Sequence, residues 1–477
     1  MKNIYIKIAL SSILLVGCSE DFIELYPTST VTVDALYTTD KDFQDAVIGC
    51  YSTLQNQYNN FWNYDLPSDD VKHQWPTEDI RLRMDNFTYQ NNEGLFLNSW
   101  RNYYSIIFRA NTVLSKIENI DVSIIKNKER HIAEAKFLRA FAYFDLVRIF
   151  SDVPMVISVI TDHEALKLGR EKVDRIYDEI IIKDLLDAET KLPEQYSGAD
   201  VGRATNGAAK SLLGKVYLTR KDFIKAEAKL QEVTVMGYAL LSNFSDLFNY
   251  TKNEHHSEYI FDIEYEEGIE EGSNFTNSFS PQDPAVTKFY KVSGGSGNSH
   301  TPSDGLFAIF DPGDLRKEIT VARGFTDENG NYIPLSGAVG ANSFTKKYMT
   351  PVVRGGDSKA NWKVIRYADV LLMYAEALNE NGKTDQALIY LNQVHKRAGL
   401  QEYPTLTQEE AREKIYLERR LELSFEGHRW FDLVRTGRAY DVLKSLGMQS
   451  YMTLFPIPLT EIQVVNNATI FPQNPGY

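Results

Sequence analysis

The stretch from Asn56 to Asn92 combines tryptophan and tyrosine with closely spaced acidic, amide and basic side chains. Aromatic rings stack against the C–H faces of a sugar ring, and carboxylates, amides and guanidinium groups hydrogen-bond its hydroxyls. The stretch is also rich in turn-forming residues, and loops carried by a rigid scaffold commonly hold binding residues. We therefore predict a ligand-binding site formed by Trp75, Trp62, Tyr64, Asp69, Asp70, Arg81 and Arg83.

Trp75 is the central residue of this predicted site, because the neighbouring Pro76 restricts the backbone and favours a ring held at the surface. Trp62 and Tyr64 have an alternative role in closing the hydrophobic core. In that case the acidic residues of the stretch would simply face water.

Arg81 and Arg83 suit the carboxylate of an acidic sugar or of a peptide C-terminus equally well. A peptide is therefore the alternative ligand. A loop-rich segment further along the chain offers the weaker candidates Phe289, Tyr290 and Asn298. Trp362 is better explained by packing at a helix entrance.

His428 lies among acidic and basic residues and is the obvious place to look for catalysis. However, Glu422, Glu426 and Arg429 have the i, i+3 and i+4 spacings of ion pairs within one helix, so we predict a structural role. The sequence contains no HExxH motif and no cluster of cysteine ligands. Acidic pairs that could serve a glycosidase are plentiful, but an acidic surface has them in any case. We predict no enzymatic activity, no metal and no cofactor.

The N-terminus has the pattern of an export signal. Lys2 and Lys7 precede an apolar run over residues 8–16, which is about half the ~18 residues needed to span a bilayer. The motif Leu15-Val16-Gly17-Cys18 then resembles the lipobox of bacterial lipoproteins, which implies cleavage after residue 17 and acylation of Cys18. The second cysteine, Cys50, is then left without a disulfide partner and is predicted to be buried.

The residues after Cys18 read Ser19-Glu20-Asp21, which resembles the surface-export signal of Bacteroidetes lipoproteins. We expect a lipid-anchored protein of the outer membrane that faces outward, since no other stretch is apolar enough to span. The chain carries 51 basic and 65 acidic residues, a net charge of −14. This balance argues against a nucleic-acid partner, whose binding needs a basic surface.

Two segments far apart in the chain have the same helical-hairpin pattern. Gly214 and Ala226 lie on either side of a turn, with the same spacing as Ala375 and Ala387. Small residues at such points let two antiparallel helices approach closely, as in tetratricopeptide-type repeats. Further hairpin helices are predicted at residues 100–117 and 131–150.

Hairpins of this kind bury their apolar faces by stacking, so the two copies should share one body. We predict a signal peptide at residues 1–17 and one domain at residues 18–477. Within it, an N-terminal helical part at 18–242 and a C-terminal helical part at 362–477 flank a loop-rich middle at 243–361. The predicted fold class is mainly α, with long ordered loops and a few short strands.

Several sequence blocks together resemble the SusD/RagB family of outer-membrane nutrient-binding lipoproteins, over nearly the whole chain after residue 17. The blocks are Asp21-Phe22-Ile23-Glu24-Leu25-Tyr26-Pro27-Thr28, Trp100 to Asn111, Ala133 to Ala140, Asp152-Val153-Pro154, Ile365 to Leu372, Ala375-Glu376-Ala377, Arg397-Ala398-Gly399, Glu418 to Glu422, Glu426 to Leu433, Pro456-Ile457-Pro458 and Asn474 to Tyr477.

The resemblance implies a tetratricopeptide-like, SusD-like fold that caps a TonB-dependent, SusC-like outer-membrane transporter. It implies capture of a nutrient, most often an oligosaccharide or polysaccharide, without catalysis. Two alternatives remain open at this stage: a peptide-binding importer component of the same fold, and a protein-interaction scaffold that uses the repeat hairpins.

Overall fold

The protein is described from a computed structural model, which covers residues 37–75, 78–252 and 254–477. The predicted signal, the lipidation residue Cys18, the acidic pair after it and the block at 21–28 lie outside the described residues. Within the described residues, no helix is both long and apolar enough to cross a membrane.

Helices make up most of the regular structure. In chain order they are α1 (Asp40–Tyr58), α2 (Ile80–Asp85), α3 (Gly94–Ile117), α4 (Lys128–Phe150), α5 (Asp162–Ala165), α6 (Val173–Ile176), α7 (Ile182–Lys191), α8 (Asn206–Thr219), α9 (Phe223–Thr234), α10 (Phe275–Phe279), α11 (Pro284–Tyr290), α12 (Asp304–Ile309), α13 (Lys317–Thr320), α14 (Tyr367–Glu380), α15 (Thr384–Arg397), α16 (Gln408–Leu423), α17 (Arg429–Arg435), α18 (Ala439–Leu443) and α19 (Leu459–Val465).

The predicted helical hairpins are confirmed: α3 packs on α4, α8 on α9 and α14 on α15. Gly214 shows why small residues are needed here, since a β-carbon at this position would lie 2.5 Å from Cδ2 of Leu230 on the partner helix. The two equivalent hairpins also meet each other, because α9 packs against α14. The copies therefore share one helical stack, as expected for repeats that bury their apolar faces on their neighbours.

Within the described part of the chain, short strands pair in three antiparallel two-stranded ladders. These are β1 (Val71–Lys72) with β3 (Thr301–Pro302), β2 (Tyr259–Ile263) with β6 (Trp362–Arg366), and β4 (Gly324–Thr326) with β5 (Tyr332–Pro334). The prediction of short strands for the middle segment is confirmed, and the segment also contains the short helices α10 to α13. The β1–β3 ladder joins the loop after α1 to the middle segment.

A continuous core of aromatic and aliphatic side chains runs from α1 through the hairpins to the C-terminal helices. A smaller cluster in the middle segment consists of Val286, Ala322, Phe325, Phe344 and Met349. Phe289 and Tyr290, two of the weaker site candidates, pack against that smaller cluster. Trp362 is 1% exposed and stacks on Tyr348, which confirms its packing role.

Residues 422–429 do not form the single ion-paired helix that their spacing predicts. Helix α16 ends at Leu423 and α17 begins at Arg429. Glu422 and Glu426 instead bind Arg366, while Arg429 binds Asp69. The structural role is right but the partners are wrong, because the partners come from other segments of the chain.

Candidate functional site

The loop after α1 is fastened to the C-terminal helices. Asp70 accepts a 2.5 Å hydrogen bond from Nε of Arg420, and Asp69 accepts 2.8 and 3.0 Å bonds from Arg429. Asp69 also forms an ion pair with Arg420. Both aspartates are therefore neutralised by arginines, and Asp70 is 1% exposed. The prediction that Asp69 and Asp70 bind ligand is corrected: they hold the loop in place.

The ring of Trp75 is held at the surface by two loops of the middle segment. Its Nε1 donates a 2.9 Å hydrogen bond to the carbonyl oxygen of Gly297. A β-carbon at Gly340 would come within 2.7 Å of the ring carbon Cζ2, so only glycine admits the indole there. The neighbouring Gln74 hydrogen-bonds Asn342 and the Gly340 amide. Trp75 is partly exposed, as a stacking ring must be.

A polar pocket of about 580 Å³ opens beside this loop, between the end of α1, α2 and the start of α3. We call it the amide pocket, because its lining includes five amide side chains: Gln57, Asn60, Asn63, Asn98 and Asn102. Its size lies within the range of small-molecule sites. Amides both donate and accept hydrogen bonds, so this lining suits a ligand that carries many hydroxyl groups.

The two predicted arginines line the amide pocket, each beside a carboxylate. Arg81 donates from Nε and Nη2 to one oxygen of Asp79 at 3.0 and 2.5 Å, and from Nη1 to the hydroxyl of Ser299 at 2.8 Å. Arg83 forms a fork with both carboxylate oxygens of Glu93 at 2.6 and 2.7 Å. Despite partial burial, the hydrogen bonds from Arg81 hold the pKa of Asp79 below its usual value. The charged groups of the pocket therefore compensate one another.

Ser299 links Trp75 to the amide pocket. The loop 297–299 accepts the indole N–H at Gly297 and the Arg81 guanidinium at Ser299. The following residue, His300, is fully buried, and burial lowers its pKa to about 3. This loop thus joins the aromatic ring and the polar pocket through uncharged groups.

Comparison with known proteins agrees with these features. The family model described as "SusD family" matches residues 326–477, and the one described as "Starch-binding associating with outer membrane" matches residues 21–218. SusD-like protein P2 of Formosa agariphila is 29% identical over 100% of both chains. The chain belongs to the SusD/RagB family.

Solved structures extend the comparison to three dimensions. A laminarin-binding SusD-like protein is 29% identical, with a TM-score of 0.80 over 92% of this chain and 100% of its own. A SusD homologue of Bacteroides thetaiotaomicron shares the fold at 23% identity, with a TM-score of 0.83 over 93% and 98% of the two chains. The predicted family and fold class are therefore confirmed.

Two aromatic residues predicted for the site of this SusD/RagB protein belong to its core. Tyr64 is fully buried, and its hydroxyl donates to Ser99 at 2.9 Å. Trp62 is 4% exposed and packs edge-on against Phe279 and His300, but it also lines the amide pocket. The prediction is corrected for Tyr64 in favour of its core role, and the ligand-binding role of Trp62 stays a prediction. Trp75, Arg81 and Arg83 stay predicted site residues.

Asn298, another weak candidate in this SusD/RagB chain, is buried. Its side-chain amide donates a 2.6 Å hydrogen bond to the carbonyl oxygen of Gly340, so it supports the loop under Trp75. Sequence reasoning missed the asparagines of α3. Asn98 and Asn102 are four residues apart and therefore share a helix face, which is the signal that was available.

His428 is 7% exposed, and burial together with Lys215 lowers its pKa to about 3. Among the described residues there is no group of three or more His, Cys, Asp or Glu side chains placed to hold a metal ion.

Proposed function

We propose that this SusD/RagB protein captures an uncharged oligosaccharide in the amide pocket, with Trp75 as a neighbouring stacking surface. The observation that carries the proposal is the lining itself: five amides and two arginines that already have carboxylate partners. Such a lining supplies hydrogen-bond donors and acceptors without net charge.

The pairing of Arg81 and Arg83 disfavours an acidic ligand. A uronic acid or a peptide C-terminus would have to compete with Asp79 for Arg81, or with the two-point contact of Glu93 to Arg83. Breaking a fork of this kind forfeits charge-assisted hydrogen bonds. The peptide alternative therefore has no supporting contact in the pocket. The similar structure named as laminarin-binding, at 29% identity, supports a glycan.

The amide pocket binds without cleaving. Its two carboxylates, Asp79 and Glu93, are each engaged by an arginine, which leaves neither as a general acid or nucleophile. The protein then hands the glycan to a TonB-dependent, SusC-like transporter in the outer membrane. Membership of a family described as associating with the outer membrane supports this location.

Attachment to the membrane is through acyl chains on Cys18, and the acidic residues after it direct the protein outward. A Cys18→Ala variant tests the anchor: metabolic labelling with a fatty acid should mark the unaltered protein and leave the variant unlabelled. Label on the variant overturns the lipoprotein assignment.

Calorimetric titration of purified protein with an uncharged glucan hexamer and with a uronic-acid oligomer of equal length tests the glycan proposal. We expect saturable binding of the glucan and at least tenfold weaker binding of the acidic oligomer. Asn98 lines the pocket and is exposed, so Asn98→Ala should weaken glucan binding with little effect on folding. The matched control is Asn92→Ala, an exposed asparagine outside the pocket lining.

The Trp75→Ala variant distinguishes a role of the ring in glycan binding from a role in folding stability. Loss of an anchoring aromatic commonly costs ~2 kcal/mol of affinity, more than a tenfold rise in Kd. The Gly297 hydrogen bond adds a stability cost of about 1 kcal/mol. Unchanged glycan affinity in Trp75→Ala and in Asn98→Ala would place the site elsewhere.

A further inference from the structure

A second pocket lies far along the chain from the amide pocket residues, inside the helical stack. It has a volume of about 170 Å³ and is bounded by α4, α8, α14, α16 and α17. We call it the cationic pocket, because the charged and imidazole side chains of its lining are Arg148, Lys215, Arg419, Arg435, His428 and Asp432. Four of these six side chains are basic and one is acidic.

Two of the carboxylates that balance these cations are not part of the lining. Asp145 pairs with Arg148 and is fully buried. Asp369 pairs with Lys215 at 3.0 Å and with Arg419 at 2.8 Å, and it too is fully buried. Neither aspartate lines the cationic pocket. Arg148 and Lys215 therefore line the cavity, whereas the carboxylates that balance them do not.

Arg435 follows this pattern only in part. Its Nη atoms form a fork with Glu376 at 2.6 and 2.7 Å, and Glu376 is 2% exposed and does not line the cationic pocket. Nε of Arg435, however, pairs at 2.8 Å with Asp432, which lines the cavity and also pairs with Arg419 at 3.0 Å. Arg148 and Lys215 are therefore the two cations of the lining whose carboxylate partners do not line the cavity. A carboxylate placed beside them would interact with charges that are only weakly screened.

The lining also contains hydrogen-bond donors that the fold leaves unused. Nε of Arg148 is buried and, among the described residues, has no hydrogen-bond partner. The Arg148 guanidinium is clamped between the rings of Phe144 and Phe431, each 4.2 Å away, so it cannot turn to find one. A buried unpaired donor is costly, so the hydrogen-bonding capacity of Arg148 is not fully used by the described residues.

Lys215 and His428 lie next to each other in the lining. Nζ of Lys215 lies 3.4 Å from Nδ1 of His428. Burial, with Arg148 and Arg419 nearby, lowers the pKa of Lys215. Because the imidazole is neutral and its Nδ1 faces the ammonium, the ring proton sits on Nε2 and is a further donor of the lining.

We propose that the cationic pocket binds a small organic carboxylate with a short hydrocarbon part. The apolar remainder of the lining, which includes Leu218, Met373 and Val434, would receive the hydrocarbon, and the Arg148 and Lys215 side chains would receive the carboxylate. A cavity of 170 Å³ is smaller than the 300 Å³ or more typical of drug-sized ligands, so a sugar chain does not fit. This site is independent of glycan capture in the amide pocket.

Thermal unfolding of the purified full-length protein, followed by calorimetric titration, tests the proposal. The probes are butyrate, its uncharged analogue butyramide, and inorganic phosphate. We expect a saturable rise of Tm with butyrate and none with butyramide. Phosphate should bind at least tenfold more weakly than butyrate, since it has no group for the apolar side of the cavity.

Two variants locate the binding. Lys215→Met removes a cation but leaves Asp369 paired with Arg419. Val434→Phe fills the cavity without changing any charge, so it stays informative if Lys215→Met folds poorly. Each should weaken butyrate binding at least tenfold, whereas Ile224→Phe, at a site 76% exposed on α9, should not. Absence of saturable butyrate binding, equal binding of butyramide, or full binding by Val434→Phe overturns the proposal.

Discussion

The indole of Trp75 lies so close to Gly340 that a β-carbon on residue 340 would be 2.7 Å from Cζ2 of the ring. Gly340 has a φ of +74°, which already favours glycine. The predicted stacking ring is therefore positioned by a residue 265 positions away in the chain.

Gly340→Ala should displace the Trp75 ring and weaken glycan binding about tenfold. The matched control is Gly337→Ala in the same loop, with a φ of +75° and no atom within 4 Å of the added β-carbon. Both variants should lose about 1 kcal/mol of stability from the left-handed backbone. Calorimetric titration should show weaker binding only for Gly340→Ala, and equal affinity of the two would remove Trp75 from the site.

Gly214→Ala should destabilise the protein although alanine is the better helix former. The added methyl group collides with Leu230, and overpacking of this kind typically costs about 1 to 3 kcal/mol. Leu230→Ala alone should cost about 2 to 5 kcal/mol. The double variant should lose less unfolding free energy than the two single variants lose together, because Leu230→Ala removes the group with which the added methyl collides. Urea unfolding measures all three losses. Gly94→Ala, where nothing lies within 4 Å, is the control and should not destabilise.

Acid should weaken the fold through Glu426. Burial alone would raise its pKa, but Arg366 and Lys347 lower it to about 2. A carboxyl with a depressed folded pKa contributes stability above its ordinary pKa of 4.5, and this contribution is lost as the pH falls from 4.5 towards 2. Glu426→Gln should therefore be about 3 kcal/mol less stable than the unaltered protein at pH 7, with the gap closing towards pH 2. Glu328 is exposed, so the stability difference between Glu328→Gln and the unaltered protein should not change in this way with pH.

Asp65 should have the opposite pH dependence. Burial raises its pKa to about 8, with Asp70 and Glu426 adding to the rise. Its carboxyl accepts a 3.1 Å hydrogen bond from the Gly427 amide, which an asparagine oxygen can also accept. Because its folded pKa is raised, Asp65 makes the protein less stable as the pH rises from about 4 to 8. The unfolding free energy of Asp65→Asn, relative to that of the unaltered protein, should therefore be about 1 kcal/mol or more higher at pH 8 than at pH 4. A constant difference across this range, in urea unfolding, contradicts the assignment.

The helical hairpins could be predicted because the signal is local: Gly214 and Ala226 lie within one hairpin, and their spacing alone requires close helices. Tyr64, Asp69 and Asp70 could not be placed, because their surroundings are built by residues far along the chain. The partner of Asp70, Arg420, is 350 residues away. A tyrosine or aspartate in a turn-rich stretch has the same appearance whether a distant segment covers it or not. The division into one domain at 18–477 stays a prediction.

The clamp formed by Arg420 and Arg429 on Asp69 and Asp70 also has a consequence for the order in which parts of the protein fold. During synthesis or export, the N-terminal helices and the loop that carries Trp75 emerge long before the segment that holds them. Contacts of such long sequence separation form late, since loop closure must precede them. A chain truncated before residue 420 would therefore keep its early helices but lack the clamp on Asp69 and Asp70. The loop that carries Trp75 is fully fastened only when the segment that contains Arg420 and Arg429 has folded.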